Sequence, residues 1–131
     1  MPQFPIELIL VKQLASGLAI PTLVSDATGL LVFVNEPAEH LLGVRFDELG
    51  DQPYDAWTAS FSPADGHGRR VASSDLPLAI ALRERCPAHG VLRIKGRDGV
   101  ARAIEITAFP LESAHGVLEG GVAMFWEART P

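Results

Sequence analysis

Four histidines, His40, His67, His89 and His115, and one cysteine, Cys86, are the side chains of this 131-residue chain best suited to hold zinc. None stands at a useful spacing. A zinc site draws on paired Cys or His a few residues apart, and here each histidine is isolated while one cysteine cannot supply the rest. The spacing therefore predicts no metal, with the histidines in loops or facing solvent. Ser73-Ser74-Asp75 sets hydroxyls beside a carboxylate, yet no Gly-x-Ser-x-Gly elbow accompanies it. Ser and Asp ahead of Leu76-Pro77-Leu78 have instead the chemistry of a helix N-cap. Glu36 and Glu39 fall in the first turn of a predicted helix, where carboxylates favour the dipole without acid-base duty. Gly66-His67-Gly68 and Gly120-Gly121 do not join a strand to a helix with a lysine following, so neither is a phosphate loop. Cys86 follows Arg85, which favours its thiolate slightly, but it reads as an inert thiol at a helix end. No catalytic set emerges, and the chain is expected not to be an enzyme.

Composition narrows the class further. With 47% hydrophobic residues the chain is long enough to bury one core without staples. A formal charge of -5 argues against a nucleic-acid surface, which needs clustered Lys and Arg. The dense basic spots, Arg69-Arg70 and Arg83-Glu84-Arg85, read as solvated loop and helix end. A lone cysteine cannot form an internal disulfide, which suits a reducing cytoplasm. The apolar run Ile6 to Val11 is too short to span a bilayer, lacks a basic flank and is interrupted by Glu7, so neither a membrane span nor a cleaved signal is expected.

Leu23 to Gly43 reads as strand, tight turn, strand and short capped helix. Two apolar runs flank Asp26-Ala27-Thr28-Gly29, where Gly29 can take positive φ. Asn35 suits an N-cap, Pro37 the first turn and Gly43 a left-handed C-cap. Pro5 to Leu18 reads as a helix with two adjoining apolar stripes, Ile6, Leu10, Leu14 and Leu8, Val11, Ala15, Leu18. Only Glu7, Lys12, Gln13 and Ser16 give it a polar edge, so most of its girth needs cover, from its own domain or across a subunit interface. Leu92 and Ile94 alternate with Arg93 and Lys95, one face buried and one wet. In Val122-Ala123-Met124-Phe125-Trp126 both faces are apolar, so both want cover, and which one points inward stays open. Gly50 to Ser74 is loop-rich, with Tyr54, Trp57 and Phe61 in short helical turns, and Glu112 to Gly116 reads as a hairpin tip.

The stretch Leu23 to Gly43 resembles the opening of a PAS domain, a sensory module of many bacterial signalling proteins, and the resemblance runs from about Ile20 to Glu127. Phe46-Asp47-Glu48-Leu49-Gly50 and Phe61-Ser62-Pro63-Ala64-Asp65-Gly66 are similar to the family's short middle helices, and Asp75 to Arg83 to its long helix. Val91 to Trp126 is similar to its three closing strands, with Arg97-Asp98-Gly99 in the first turn and Pro110-Leu111 ending the second strand. The resemblance implies an α+β fold: a curved five-stranded antiparallel sheet with short helices across one face. Residues 1–19 would form a flanking N-terminal helix and 20–131 the sensory domain. Met1 ahead of a complete opening helix fits a natural start, and an excised piece of a longer protein is the equal alternative. In place of the Asp-x-Thr-like turn that leads larger relatives into a signalling helix, this chain has Glu127-Ala128-Arg129-Thr130.

Haem-binding relatives take an axial histidine from the long helix, and Ser74 to Arg85 contains none, His89 lying just beyond. Photosensing relatives use a cysteine on a middle helix, where this chain has Tyr54, Trp57 and Phe61. Neither haem nor flavin is therefore expected. The hollow under such a sheet would be walled by Leu41, Leu42, Trp57, Phe61, Leu78, Leu82, Leu92, Ile94, Ile106 and Met124. A homodimer is expected through the N-terminal helix and the outer sheet face, at Ile6, Leu10, Leu14, Ala123 and Phe125. Two functions follow from the resemblance: a signal-transduction sensor whose interior holds a small apolar ligand such as a fatty acid, acting through dimerisation, or a ligand-free interaction scaffold with a filled core and a signalling partner.

Overall fold

The first turn is built by Asp26. In a computed structural model that describes residues 5–128, its Oδ1 accepts hydrogen bonds from Thr28 N, Thr28 Oγ1 and Leu30 N at 2.9, 2.7 and 3.1 Å. Gly29 takes a φ of 92° there, and the chain returns on itself as the antiparallel pair β1 (Thr22–Asp26) and β2 (Leu31–Val34). Asn35 then caps α2 (Glu36–Leu42), accepting from Ala38 N, and Gly43 ends it in the left-handed conformation. Expected and observed structure agree here because every signal is local.

Farther along, α3 (Phe46–Leu49), α4 (Tyr54–Ala59), a 3₁₀ turn at Ser73–Asp75 and α5 (Pro77–Glu84) precede β3 (Ala88–Lys95), β4 (Ala101–Glu112) and β5 (Leu118–Glu127). The sheet is antiparallel throughout, in the order β2-β1-β5-β4-β3, so the last strand sits beside the first. The inner core, with Leu31, Ala38, Leu49, Trp57 and Ile104, lies between the sheet and α2 to α5. A second cluster, Leu8, Ala15, Val24 and Val122, lies on the opposite face beneath α1 (Ile6–Ser16). The fold is α+β, five strands with short helices on one side and a flanking helix on the other.

Several details differ from the sequence reading. Phe61 to Gly66 forms no helix; α4 takes that role upstream, and Ala64 bridges both Arg70 and Arg93. Ser73-Ser74-Asp75 does not cap α5, whose N-cap is Leu76 without a side-chain bond. It forms its own 3₁₀ turn, and Pro77 starts the helix with its φ already set. β3 begins at Ala88, so His89 lies within a strand, and β4 runs past Pro110-Leu111 to Glu112. The segment Glu127 to Thr130, which stands in place of the family's turn, extends beyond the described residues. Among those residues no helix is long and apolar enough to cross a membrane.

The largest correction concerns β5. Ala123 and Phe125, expected at a dimer interface, belong to the inner core, whereas Met124, expected on the cavity wall, packs with the cluster beneath α1. Register decides it. Leu23 pairs with Ala123 and Ile106 with Phe125, and both partners face inward. Strand alternation can divide an all-apolar strand into two faces but cannot say which is inside.

Candidate functional site

The interior between the sheet and α2 to α5 holds one candidate site, an apolar cavity of about 70 Å³. Leu42, Trp57, Phe61, Leu78, Leu92, Ile94 and Ile106 line it, as the sequence placed them. Leu41 packs on the same core without reaching the cavity, and Leu82 lines a separate shallow cleft against Ala27, Thr28 and Tyr54. The sequence reading missed Leu23, Tyr54, Thr58, Pro63, Leu76, Pro77 and Ile104, along with Ala123 and Phe125. Alternation through the first hairpin could have found Leu23. Pro63 and Leu76 had no such signal, because loops position them.

The polar atoms around the cavity already have partners. Trp57 Nε1 donates to Gly29 O at 3.1 Å, Tyr54 Oη to Ser73 O at 3.0 Å and Thr58 Oγ1 to Tyr54 O at 2.7 Å. Among the described residues no buried side-chain nitrogen or oxygen lacks a partner. The wall therefore offers dispersion and area burial, and no free donor to orient a guest. All four histidines and Cys86 are exposed, and none lines the cavity. No group of three His, Cys, Asp or Glu among the described residues could hold a metal.

Burial pushes the Tyr54 hydroxyl above its ordinary range; the Ala79 backbone opposes that rise and the Asp55 carboxylate adds to it. The folded state thus keeps a proton that the unfolded chain releases above about pH 10. Its contribution to stability is complete below that pH and lost as pH rises beyond it. Tyr54 is the only tyrosine, so tyrosinate absorbance reads it alone. The native protein should show that absorbance later than the unfolded chain does. Its melting temperature should fall above about pH 10 more steeply than that of Tyr54→Phe. Equal slopes would mean that the hydroxyl titrates freely in the folded state.

No protein-family model matches this chain, and no curated protein does. Solved structures do. The PAS domain of BvgS from Bordetella pertussis superposes with a TM-score of 0.65 at 16% identity, over 95% of this chain and 87% of that one. The PAS domain of nitrogen regulation protein NR(II) from Vibrio parahaemolyticus gives 0.62 at 15%, over 91% and 98%. The chain has the PAS fold. A Light-Oxygen-Voltage domain studied with a flavin analogue shares it, at a TM-score of 0.68 and 14% identity over 93% of this chain and 84% of that one.

A flavin does not fit this PAS interior. A void of about 150 Å³ takes one benzene ring; the cavity here is about 70 Å³, and an isoalloxazine has three fused rings. Its polar edge would also find Trp57 Nε1 and Tyr54 Oη already bound to carbonyls.

Proposed function

We propose that this chain is a regulatory module of signal transduction that does no chemistry and works by protein contact, as a homodimer joined along α1 over a filled core. The small volume of the cavity carries this reading. Pockets for small molecules span about 300–1,000 Å³ with a few convergent polar groups, whereas this interior has about 70 Å³ and its polar atoms are committed. A fatty acid would need the wall to open by several side chains.

The dimer rests on α1. Its Leu8, Val11 and Ala15 stripe packs on the chain's own sheet, while Ile6, Leu10 and Leu14 stay 64%, 57% and 59% exposed at a spacing of one turn. With Ile9 beside them, they form a contiguous apolar strip of the kind that marks an interaction surface. Two such strips meeting about a two-fold axis would cover each other.

Light scattering should give a dimer mass at micromolar concentration, and Leu10→Glu with Leu14→Glu should shift it to monomer while circular dichroism stays unchanged. Both residues are exposed, so the fold should tolerate the charges. A monomeric wild type would sink the dimer. A stoichiometric small molecule extracted from natively purified protein would instead restore the ligand-sensor reading.

A further inference from the structure

The half of the outer sheet face away from α1 has a composition of its own. On that face β3 presents Val91, Arg93 and Lys95, and Glu105 of β4 stands between Val91 and Trp126 of β5. Val91 is 56% exposed and Trp126 39%. The sheet is extended past β3 by Ala64, which exchanges both backbone hydrogen bonds with Arg93 at 2.9 and 2.8 Å. On its other side Ala64 bridges Arg70. Directly opposed residues share a face, so Arg70, Ala64 and Arg93 point the same way. Pro63, which lines the cavity, and Val71, which packs on the inner core, point the other way.

The two arginine Cα atoms are thus about 10 Å apart, one close and one wide antiparallel spacing, and Lys95 lies two residues along the strand from Arg93. Ala64, Ala101 and Ala103 stand between and beside them and leave the charged ends room. Among the described residues Arg70, Arg93 and Lys95 form no ion pair, whereas Arg69 is held by Asp65 and Arg102 by Asp98 and Glu127. Glu105, diagonal to Arg93 on this face, approaches His89 Nε2 at 3.4 Å instead. A chain of net charge -5 therefore collects three unpaired cations, two of them arginines, on the same face as an exposed tryptophan, and Arg and Trp are enriched at binding hot spots.

We infer that this strip is a docking surface for an acidic segment of a partner protein, one that sets an apolar side chain against Trp126 and Val91. This goes beyond the dimer and does not rest on it. A second copy's α1 is a poor occupant, since it brings a single carboxylate, Glu7, against three cations that would lose water without gaining partners. The overall negative charge disfavours a nucleic acid.

The probe is a short synthetic peptide of Asp and Glu with one central Leu, titrated into the full chain while tryptophan fluorescence is followed. Binding should perturb the emission, and Trp126→Phe should remove the response. Affinity should fall on the order of tenfold in the triple variant Arg70→Gln, Arg93→Gln, Lys95→Gln, and weaken with added salt. The same peptide built from Asn and Gln should not bind. Equal affinity of the triple variant and wild type for the acidic peptide overturns the proposal, as does equal binding of the amide peptide. A single-stranded DNA oligonucleotide that binds more tightly than the peptide overturns it in favour of nucleic acid. Loss of dimer mass in the triple variant overturns it in favour of a second copy. The three cations are exposed, so an unchanged melting curve is the control for folding.

Discussion

Replacing Asn35 by alanine is expected to destabilise the domain by roughly 3–5 kcal/mol and to free α1 from the sheet. The side chain is buried and bonds to four separate segments. Its Oδ1 accepts from Thr22 N at 2.9 Å at the start of β1 and from Ala38 N at 3.1 Å in the first turn of α2. Its Nδ2 donates to Ala15 O at 3.0 Å near the end of α1 and to Ile20 O at 2.9 Å in the connection that follows. A methyl group makes none of these bonds, and each buried group left without a partner costs about 1–3 kcal/mol, less where water enters. Asn35→Asp separates the two halves of the role. It keeps both acceptor contacts, loses both donors and turns a carboxylate toward two carbonyls, so it should release α1 while preserving the cap of α2. Urea unfolding gives the total, and hydrogen exchange at α1 amides should rise beyond the global change. A loss near 1 kcal/mol with unchanged exchange at α1 would reduce Asn35 to an ordinary helix cap.

That residue also marks how far the sequence could be followed. Asp26, Gly29, Asn35 and Gly43 lie within one short stretch, and each acts on backbone a few residues away, so hairpin and helix are legible from the residues alone. The donors of Asn35 to Ala15 and Ile20 are not, because they exist only once α1 has folded back over the sheet. The same boundary runs through β5. Its two apolar faces are plain in the sequence, but the choice between them comes from pairing with Leu23 and Ile106.

Loops were the least legible part. Pro63 and Leu76 reach the cavity wall from segments without periodicity, and their neighbours decide where they point. Arg93 and Lys95 could be assigned to a wet face by alternation, whereas Arg70 joins them only through the bridge at Ala64. The stripe of Ile6, Leu10 and Leu14 lay open to the opposite difficulty. Periodicity found it, but whether the chain's own sheet covers it depends on how α1 is rotated, and the rotation that buries Leu8 and Ala15 leaves it outside.

Trp57→Ala is expected to cost about 3–5 kcal/mol, the range for truncating a large buried aromatic. Trp57 is 5% exposed, its indole stands edge-on to Tyr54 with ring centres 5.4 Å apart at 87°, and its Nε1 holds the Gly29 carbonyl of the first turn at 3.1 Å. The loss thus combines packing with a carbonyl left unpaired in the core. Trp57→Phe keeps most of the packing and gives up the hydrogen bond, so the difference between the two variants apportions the terms. The alanine variant carries a second consequence. Removing the indole should enlarge the cavity of about 70 Å³ beyond the size that admits benzene, about 150 Å³. Benzene should then raise the melting temperature of the variant and leave the wild type unchanged, because ligand that binds only the folded state stabilises it by mass action. A wild type that responds as strongly as the variant would mean that its interior opens readily to guests, and the filled core would have to be given up. A variant that melts like the wild type would place Trp57 outside the packing that holds the sheet to α4.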